Sequence, residues 1–178
     1  MSTLRTMIGP DDHTAGPRDA PISVVEYGDY ECPYCSRADT EVKRLLAALG
    51  DSLCFAFRNF PLSQLHPHAL QAAEAAEAAG AQGKFWEMHD LLFEHQDALE
   101  TPLLISYARS LDLDLHAFDH DVEGHRFLER IHGEFIGGVR SGVNGTPTFF
   151  INGERHDGAP TYPALLAAIE GGPQAHAF

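Results

Sequence analysis

Two cysteines that stand two residues apart, in Cys32-Pro33-Tyr34-Cys35, carry the clearest chemistry in this sequence. Thiols at this spacing can close a disulfide ring, which another thiolate can open by exchange. Proline is tolerated in the first turn of a helix, so the motif predicts a helix that begins at about Pro33. At a helix N-terminus, unpaired N–H groups and the helix dipole stabilise a thiolate, with a pKa of about 3.5–7.5 against about 8.5 for a free thiol. We therefore predict Cys32 as an exposed nucleophile and Cys35, one turn inside the helix, as the shielded resolving thiol.

A metal site, or a purely structural role, is the alternative for the same two cysteines. A thiolate zinc site usually has four ligands, often from a second Cys-x-x-Cys or a histidine pair. The third cysteine, Cys54, stands alone in a predicted strand, and we interpret it as a buried core thiol. The 11 histidines form no ligand pattern of standard spacing, so surface and capping roles are favoured for them. The sequence thus favours a dithiol that is itself the redox group, with no metal and no organic cofactor.

A second motif, Gly145-Thr146-Pro147-Thr148, opens a predicted strand. Proline cannot donate a hydrogen bond to a sheet, so it belongs at a sheet edge or in a cis turn. A plain turn proline is the simplest interpretation of this segment alone. Beside a Cys-x-x-Cys motif, we instead predict a cis Pro147 packed against the dithiol, with Thr146 presenting main-chain groups to an extended peptide.

The rest of the sequence predicts a scaffold that alternates strands and helices. β-branched and aromatic residues predict a strand at 22–27, followed by a helix at 33–49 and a strand at 53–60. This order is typical of a parallel sheet. Only helical patterns follow until strand signals return, with Asn152-Gly153 as a hairpin turn. The predicted later helices cover 69–81, 84–95, 101–111, 115–120, 122–139 and 162–170, and the later strands cover 148–151 and 155–157.

Composition excludes some classes of partner. The chain has 178 residues, and 12 basic against 26 acidic residues give a formal net charge of −14. Nucleic acids and anionic membranes attract positive surfaces, so neither is expected as a partner. No segment approaches the roughly 20 apolar residues that span a bilayer. The first twenty residues do not resemble a signal peptide, which predicts a cytoplasmic protein, or a periplasmic one if a leader has been removed.

Three segments, VVEYGDYECPYC, FRNFPL and GVNGTPTFFING, occur in this order with a helical stretch between the last two. Together they resemble the DsbA-like branch of the thioredoxin superfamily, over about residues 12–170. CPYC alone also occurs in glutaredoxins, which are much shorter and lack such a helical stretch. Some members of the branch are fused to sodium/proton antiporters.

The resemblance implies an α/β protein, a thioredoxin fold with an all-helical insertion. The domains would be an irregular N-terminal arm at 1–20, a thioredoxin domain at 21–62 and 138–172, and an inserted helical subdomain at 63–137. Cys32 would be the nucleophile, Cys35 the resolving thiol and Pro147 the cis-proline. Pro33, Tyr34 and Thr146 would contact the substrate.

Glu26 matches the family's buried acid beneath the dithiol. A buried carboxyl group has a raised pKa and can accept or relay the proton of Cys35, whereas a strand residue facing solvent could not. We expect Arg58 of the next strand as a partner for Glu26. Asp29 and Glu31 are expected to be exposed and to oppose the thiolate only slightly. Periplasmic oxidases of the family commonly have histidine at the position of Tyr34, and that histidine can donate to the thiolate. Tyr34 has no positive charge to offer to the Cys32 thiolate.

These features predict a thiol–disulfide oxidoreductase that exchanges disulfides with protein or peptide substrates through a mixed disulfide at Cys32. An unidentified redox partner must recycle the dithiol. The alternatives are a cytosolic protein-disulfide reductase with the same chemistry, a non-catalytic peptide-binding module that uses the groove beside Pro147, and a metal-binding dithiol protein. The sequence does not set the direction of electron flow, the natural substrates or the oligomeric state.

Overall fold

A computed structural model describes residues 2–172 of the protein. Within this part of the chain, the strands form one mixed sheet of five strands in the order β1-β3-β2-β4-β5. Strands β2 and β3 pair in parallel, and the other neighbours pair antiparallel. The strands are β1 (His13–Ala15), β2 (Ile22–Gly28), β3 (Leu53–Asn59), β4 (Thr148–Ile151) and β5 (Glu154–His156).

Seven helices accompany the sheet within residues 2–172. They are α1 (Pro33–Leu49), α2 (Ala69–Ala81), α3 (Phe85–Glu94), α4 (Thr101–Ser110), α5 (Leu115–Glu123), α6 (Leu128–Arg140) and α7 (Tyr162–Gly171). Between β3 and β4 the chain contains helices and loops but no strand. The predicted α/β class, with an all-helical stretch between β3 and β4, is thus confirmed. The domain boundaries given above stay predictions.

Helix α1 places the dithiol, and its bounds follow from local sequence. Cys32 is the N-cap, with extended backbone angles (φ −78°, ψ 120°), and Pro33 occupies the first turn. Gly50 follows the last helical residue with a φ of 49°, a left-handed conformation that glycine adopts without strain. One face of the helix is buried, through Cys35, Ala38, Asp39, Val42 and Leu45.

The alternation of side chains along β2 decides which of them can reach the dithiol. Val24 lies in the large core that also contains Cys32 and Cys35, whereas Val25 and Tyr27 lie in a smaller cluster with residues of the N-terminal segment and α6. Glu26 follows Val24 by two positions. It therefore points to the same face of the sheet as the two cysteines.

Two elements differ from the sequence prediction. The predicted helix over 122–139 begins only at Leu128, because α5 continues to Glu123 and His125 then takes a φ of 50°, which an α-helix does not accommodate. The expectation of an irregular arm is also wrong at His13–Ala15. This segment forms β1 and pairs with β3 at the edge of the sheet, opposite Phe55–Phe57. A three-residue edge strand has too little alternation to be recognised from sequence.

Candidate active site

Cys32 lies at the junction of α1 with the loop that precedes β4. Its thiol donates a hydrogen bond to the carbonyl oxygen of Thr146 (Sγ···O 3.4 Å), and its N–H donates to the carbonyl oxygen of Asp29 (3.1 Å). Only 4% of the residue is exposed. The expectation of an exposed nucleophile is therefore wrong in this reduced state, because the Thr146 loop and the helix start enclose the sulfur.

Cys35 is completely buried, as predicted for a resolving thiol. Its sulfur accepts a hydrogen bond from the N–H of Asp29 (3.4 Å). The structure has both thiols in the reduced, unbonded form. The two sulfurs thus have different surroundings: one lies at the rim of the core and the other is inside it.

This difference separates the acidities of the two thiols. The pKa of Cys32 is lowered from 9.0 to about 5. The Cys35 thiol, as a hydrogen-bond partner, is the largest cause. Burial acts in the opposite direction, whereas the Thr146 side chain and the backbone N–H groups of Cys35 and Tyr34 also lower the pKa. Burial raises the pKa of Cys35 well above its ordinary value, and the neighbouring Cys32 and Glu26 add to this. At neutral pH the arrangement therefore holds a thiolate at Cys32 and a thiol at Cys35.

The loop before β4 contains the second predicted motif. The peptide bond between Thr146 and Pro147 is cis, and both residues are half-buried. The hydroxyl oxygen of Thr146 is buried and has no partner with hydrogen-bond geometry, but it lies near enough to Cys32 to lower the pKa of that thiol. The carbonyl oxygen of Thr146 accepts the hydrogen bond of the Cys32 thiol.

Glu26 lies in the middle of the sheet, between β3 and β4, with 2% of the residue exposed. Its Oε1 atom has no hydrogen-bond partner. Burial, followed by the charges of Asp39 and Cys32, raises the pKa of this carboxyl group well above its usual range. Glu26 is thus a buried acid that interacts electrostatically with both cysteines. The interpretation of Glu26 as a strand residue facing solvent is wrong.

Arg58 does not pair with Glu26, contrary to the expectation. It forms two hydrogen bonds with the Asp12 carboxylate, at 2.8 and 2.9 Å, and one with the Tyr27 hydroxyl at 3.1 Å. Tyr27 and Arg58 are register partners in the parallel pair, whereas Glu26 is opposite Phe57. Arg58 and Glu26 therefore lie on opposite faces of the sheet.

Pro33 and Tyr34 form the exposed part of the motif. Tyr34 is 62% exposed, and the Arg37 guanidinium lies 5.6 Å from the centre of its ring. Leu65, in the loop after β3, is 74% exposed. Tyr34 thus offers an exposed aromatic surface within the motif, and the roles of Pro33, Tyr34 and Thr146 as substrate contacts stay predictions.

Asp29 is buried, which contradicts the expectation of an exposed, weakly acting carboxylate. It accepts hydrogen bonds from the N–H groups of Glu31 and Leu62, both at 2.8 Å, and lies 2.8 Å from Nδ1 of His66. Glu31 in turn binds Nδ1 of His68 at 2.9 Å. Two carboxylate–histidine pairs therefore join the motif to the loop after β3.

Sequence reasoning missed two further supports of the motif. Gln96 Nε2 donates to the carbonyl oxygens of Tyr30 (2.7 Å) and Cys32 (2.9 Å). His89 is buried in α3, with Nδ1 3.0 Å from the Tyr30 hydroxyl and Nε2 3.4 Å from Asp39 of α1. The spacing of Phe85, His89 and Leu92 in the sequence indicates a buried helical face, but it does not identify the partners of His89.

One group of side chains within residues 2–172 has the geometry for a metal ion. Asp39, His89 and Asp90 each bring a ligand atom within 4.8 Å of the others. The Lys43 ammonium group already binds both carboxylates of this group, at 2.8 and 2.9 Å. A metal ion here would have to displace Lys43, and neither Cys32 nor Cys35 belongs to the group.

Comparisons with known proteins agree with this geometry. A family model described as thioredoxin matches residues 9–171. The chain is 50% identical over 167 residues to the Na(+)/H(+) antiporter NhaA 1 of Salinispora arenicola, and 45% identical over 174 residues to NhaA 1 of Mycolicibacterium vanbaalenii. These matches cover 93% and 97% of this chain. The chain spans only about a quarter of the length of these relatives, 26% and 28%. Within residues 2–172, no helix has both the length and the apolar character needed to cross a membrane.

Solved structures provide the second comparison. A thioredoxin-like oxidoreductase from Silicibacter pomeroyi superposes with a TM-score of 0.81 at 29% identity, covering 91% of this chain and 92% of that one. BdbD from Bacillus subtilis superposes with a TM-score of 0.79 at 25% identity, covering 89% and 91%. The α-DsbA1 protein of Wolbachia pipientis, at 22% identity and a TM-score of 0.80, shares the fold. The chain therefore belongs to the thioredoxin family, and the predicted thioredoxin fold, shared with DsbA-like proteins, is confirmed.

Proposed function

We propose that this protein exchanges disulfides with protein substrates through a mixed disulfide at Cys32, which Cys35 resolves. The observation that carries the proposal is the difference between the two thiols. The pKa of Cys32 is lowered to about 5, whereas that of buried Cys35 is raised. A thiolate is the attacking form and the better leaving group in exchange, so Cys32 is the sulfur through which a substrate enters and leaves.

Each step can be assigned to an atom of the site. When the dithiol is oxidised, a substrate thiolate attacks the Cys32 sulfur, the bond between the two cysteines breaks, and Cys35 leaves as a thiolate that takes up a proton. Glu26 is the group proposed to supply that proton, because burial raises the pKa of its carboxyl group and so favours the protonated form. A second substrate thiolate then attacks the substrate sulfur of the mixed disulfide and expels Cys32. Two electrons thus pass from the substrate to the protein. In the reverse direction, Cys35 attacks the Cys32 sulfur and releases the substrate thiol.

The acidity of Cys32 favours this direction over reduction of the substrate. A stable thiolate stabilises the reduced dithiol and makes the disulfide more oxidising. A pKa of about 5 lies between the values typical of the nucleophilic cysteines of thioredoxin, about 7, and DsbA, about 3.5. We therefore expect a reduction potential between about −270 and −120 mV. A cytosolic reductase with the same chemistry is the second candidate, and it requires the more negative end of this range.

Substrate binding is proposed to occur as an extended strand beside Thr146. The backbone contact between this residue and Cys32 brings main-chain recognition and the reactive sulfur to the same place. Recognition of this kind suits protein thiols and disulfides of varied sequence. A recycling partner with its own dithiol is required. The cytoplasmic location, or a periplasmic one after removal of a leader, stays a proposal that cell fractionation tests.

Equilibration with glutathione buffers followed by thiol alkylation tests the proposal. We expect a reversible two-electron couple at Cys32 and Cys35, with a potential inside the stated range. Turnover of a disulfide-bonded peptide by Cys32→Ser separates an enzyme from a peptide-binding module. The enzyme loses turnover in this variant, whereas a binding module retains its peptide affinity and its cellular role. Absence of a reversible couple contradicts both candidate directions.

A further inference from the structure

A buried carboxylate lies three residues before the proposed nucleophile. The Asp29 side chain is completely enclosed, and its oxygens accept from the N–H groups of Glu31 and Leu62 and contact His66 Nδ1 at 2.8 Å. Removal of a carboxylate from water is costly unless hydrogen bonds and an opposite charge compensate for it. His66, which is 20% exposed, is the side chain that provides this compensation.

The main chain of Asp29 fixes this carboxylate beside the dithiol. Its N–H donates to the Cys35 sulfur, and its carbonyl oxygen accepts the N–H of Cys32. An unneutralised negative charge at this position would oppose a second negative charge at Cys32, and burial makes that opposition stronger than it is between exposed groups. A positive charge beside the Asp29 carboxylate would remove this opposition and favour the thiolate at Cys32.

The charged groups around His66 all favour its protonated form. Burial lowers the pKa of His66, but the hydrogen bond and charge of Asp29 outweigh this, and the charges of Cys32 and Glu31 add to the increase, so that the net shift is upward. Glu31 is itself bound by His68, through both Nδ1 and the N–H group. His66 thus interacts with Asp29, Glu31 and Cys32 at once, from the loop that follows β3.

We propose that His66 is a positioning residue for the dithiol, whose imidazolium neutralises the buried Asp29 carboxylate and thereby permits a thiolate at Cys32. Tyr34 brings no charge into the motif, so this positive charge comes from a different segment of the chain. The inference rests on the proposed role of Cys32 and adds a second titrating group to it. Reduction of the disulfide by a small dithiol reagent takes two electrons and one proton to form the Cys32 thiolate and the Cys35 thiol. At pH values near the pKa of His66, reduction also raises the protonated fraction of the His66 imidazole, so that on average more than one proton is taken up.

Alkylation rates measured against pH test the charge of His66 through the acidity of Cys32. In reduced His66→Gln, we expect the Cys32 titration to move upward by at least about half a pH unit, a threefold change in its dissociation constant. His68→Gln is the matched control, because His68 lies in the same loop but binds Glu31 instead; its shift should be clearly smaller. The Asp29→Asn variant has no carboxylate charge to compensate, so adding His66→Gln to it should change the Cys32 titration little. Equal titrations of His66→Gln and the unmodified protein would overturn the proposal.

A measurement without substitutions covers the case in which a variant does not fold. NMR titration of the His66 ring in the oxidised and reduced protein should give a higher pKa in the reduced form, because coupling between two sites is reciprocal. The same His66 pKa in both forms refutes the inference. If Cys32 itself shows no acidic titration, the proposed function fails instead. If Cys32 titrates low but independently of His66, only this inference fails.

Discussion

The carbonyl oxygen of Thr146 lies 3.4 Å from the sulfur of Cys32, although 114 positions separate the two residues. This contact joins the first turn of α1 to the loop that leads into β4. A reactive sulfur and an edge of main-chain groups therefore meet only when the sheet and the helix have both formed. The inserted helices lie between these two segments in sequence.

Glu26 provides a test of proton transfer to Cys35. Glu26→Gln keeps the size of the side chain but has no acidic proton to give to the leaving Cys35 thiolate, so we expect attack of a substrate thiolate on the oxidised protein to slow by about 100-fold at neutral pH. Stopped-flow measurement of this reaction checks the expectation. Glu129→Gln, at an exposed position of α6, is the control and should retain the rate of the unmodified protein. An unchanged rate in Glu26→Gln shows that Cys35 exchanges its proton with another group.

Removal of the same carboxyl group should also stabilise the fold. Its Oε1 atom is buried without a partner, so Glu26→Leu should raise the free energy of unfolding by about 1–3 kcal/mol. Urea titration of the reduced protein measures this change. A loss of stability instead would mean that the carboxyl group has a favourable partner in the folded state.

His89 provides a test of the link between α3 and the dithiol helix. His89→Leu leaves the Tyr30 hydroxyl and the Asp39 carboxylate without this buried partner, so we expect the free energy of unfolding to fall by about 1–3 kcal/mol. His116→Gln, at an exposed position of α5, should stay within about 0.5 kcal/mol. Equal values for both variants in denaturant titrations would contradict a supporting role for His89.

Patterns with strong local physical causes were predictable from the sequence. Pro33 and Gly50 mark the ends of α1, and Asn152 and Gly153, with φ of 49° and 82°, form the predicted hairpin turn between β4 and β5. Local backbone preferences fix these features. The two cysteines and the Thr146-Pro147 segment could be linked because they occur together in one sequence, and the structure brings Cys32 and Thr146 into contact.

The partners of charged side chains were not predictable in the same way. Arg58 and Glu26 belong to adjacent strands and are close along the backbone register, but side-chain alternation places them on opposite faces of the sheet. On its own face, Arg58 binds Asp12 of the N-terminal segment. Asp29 has the sequence character of a surface residue, and the contacts that bury it come from Leu62 and His66. Such pairings depend on where distant loops return, and a single sequence contains no direct signal for this.

The Asp12–Arg58 pair tests whether the N-terminal segment is bound to the sheet by charge. Both side chains are largely buried, so Asp12→Ala leaves the guanidinium uncompensated and should lower the free energy of unfolding by about 3–5 kcal/mol. Glu87→Ala removes one partner of the exposed Lys84 pair and should have a much smaller effect. Similar losses in both variants would contradict a special contribution from Asp12.

Stability of the reduced protein should depend on pH through Cys32. Its pKa is lowered from 9.0 to about 5 in the folded state, so the folded form releases its proton more readily than the unfolded chain. The resulting stabilisation is complete above about pH 9 and is lost as the pH falls through about 5. The difference in melting temperature between the unmodified protein and Cys32→Ser should therefore increase from pH 5 to pH 9. A difference that is constant over this range contradicts a lowered thiol pKa.

Trapping of the mixed disulfide tests the assignment of Cys32 as the nucleophile most directly. Reduced Cys35→Ser is mixed with a disulfide-bonded peptide, and mass spectrometry locates the peptide on the protein. We predict that the Cys32 thiolate displaces one peptide thiol and forms an adduct that persists, since Cys35 is absent to resolve it. Cys32→Ser, which keeps buried Cys35, should form no adduct over the same time. An adduct on Cys35 or Cys54, or none on Cys32, would contradict the account.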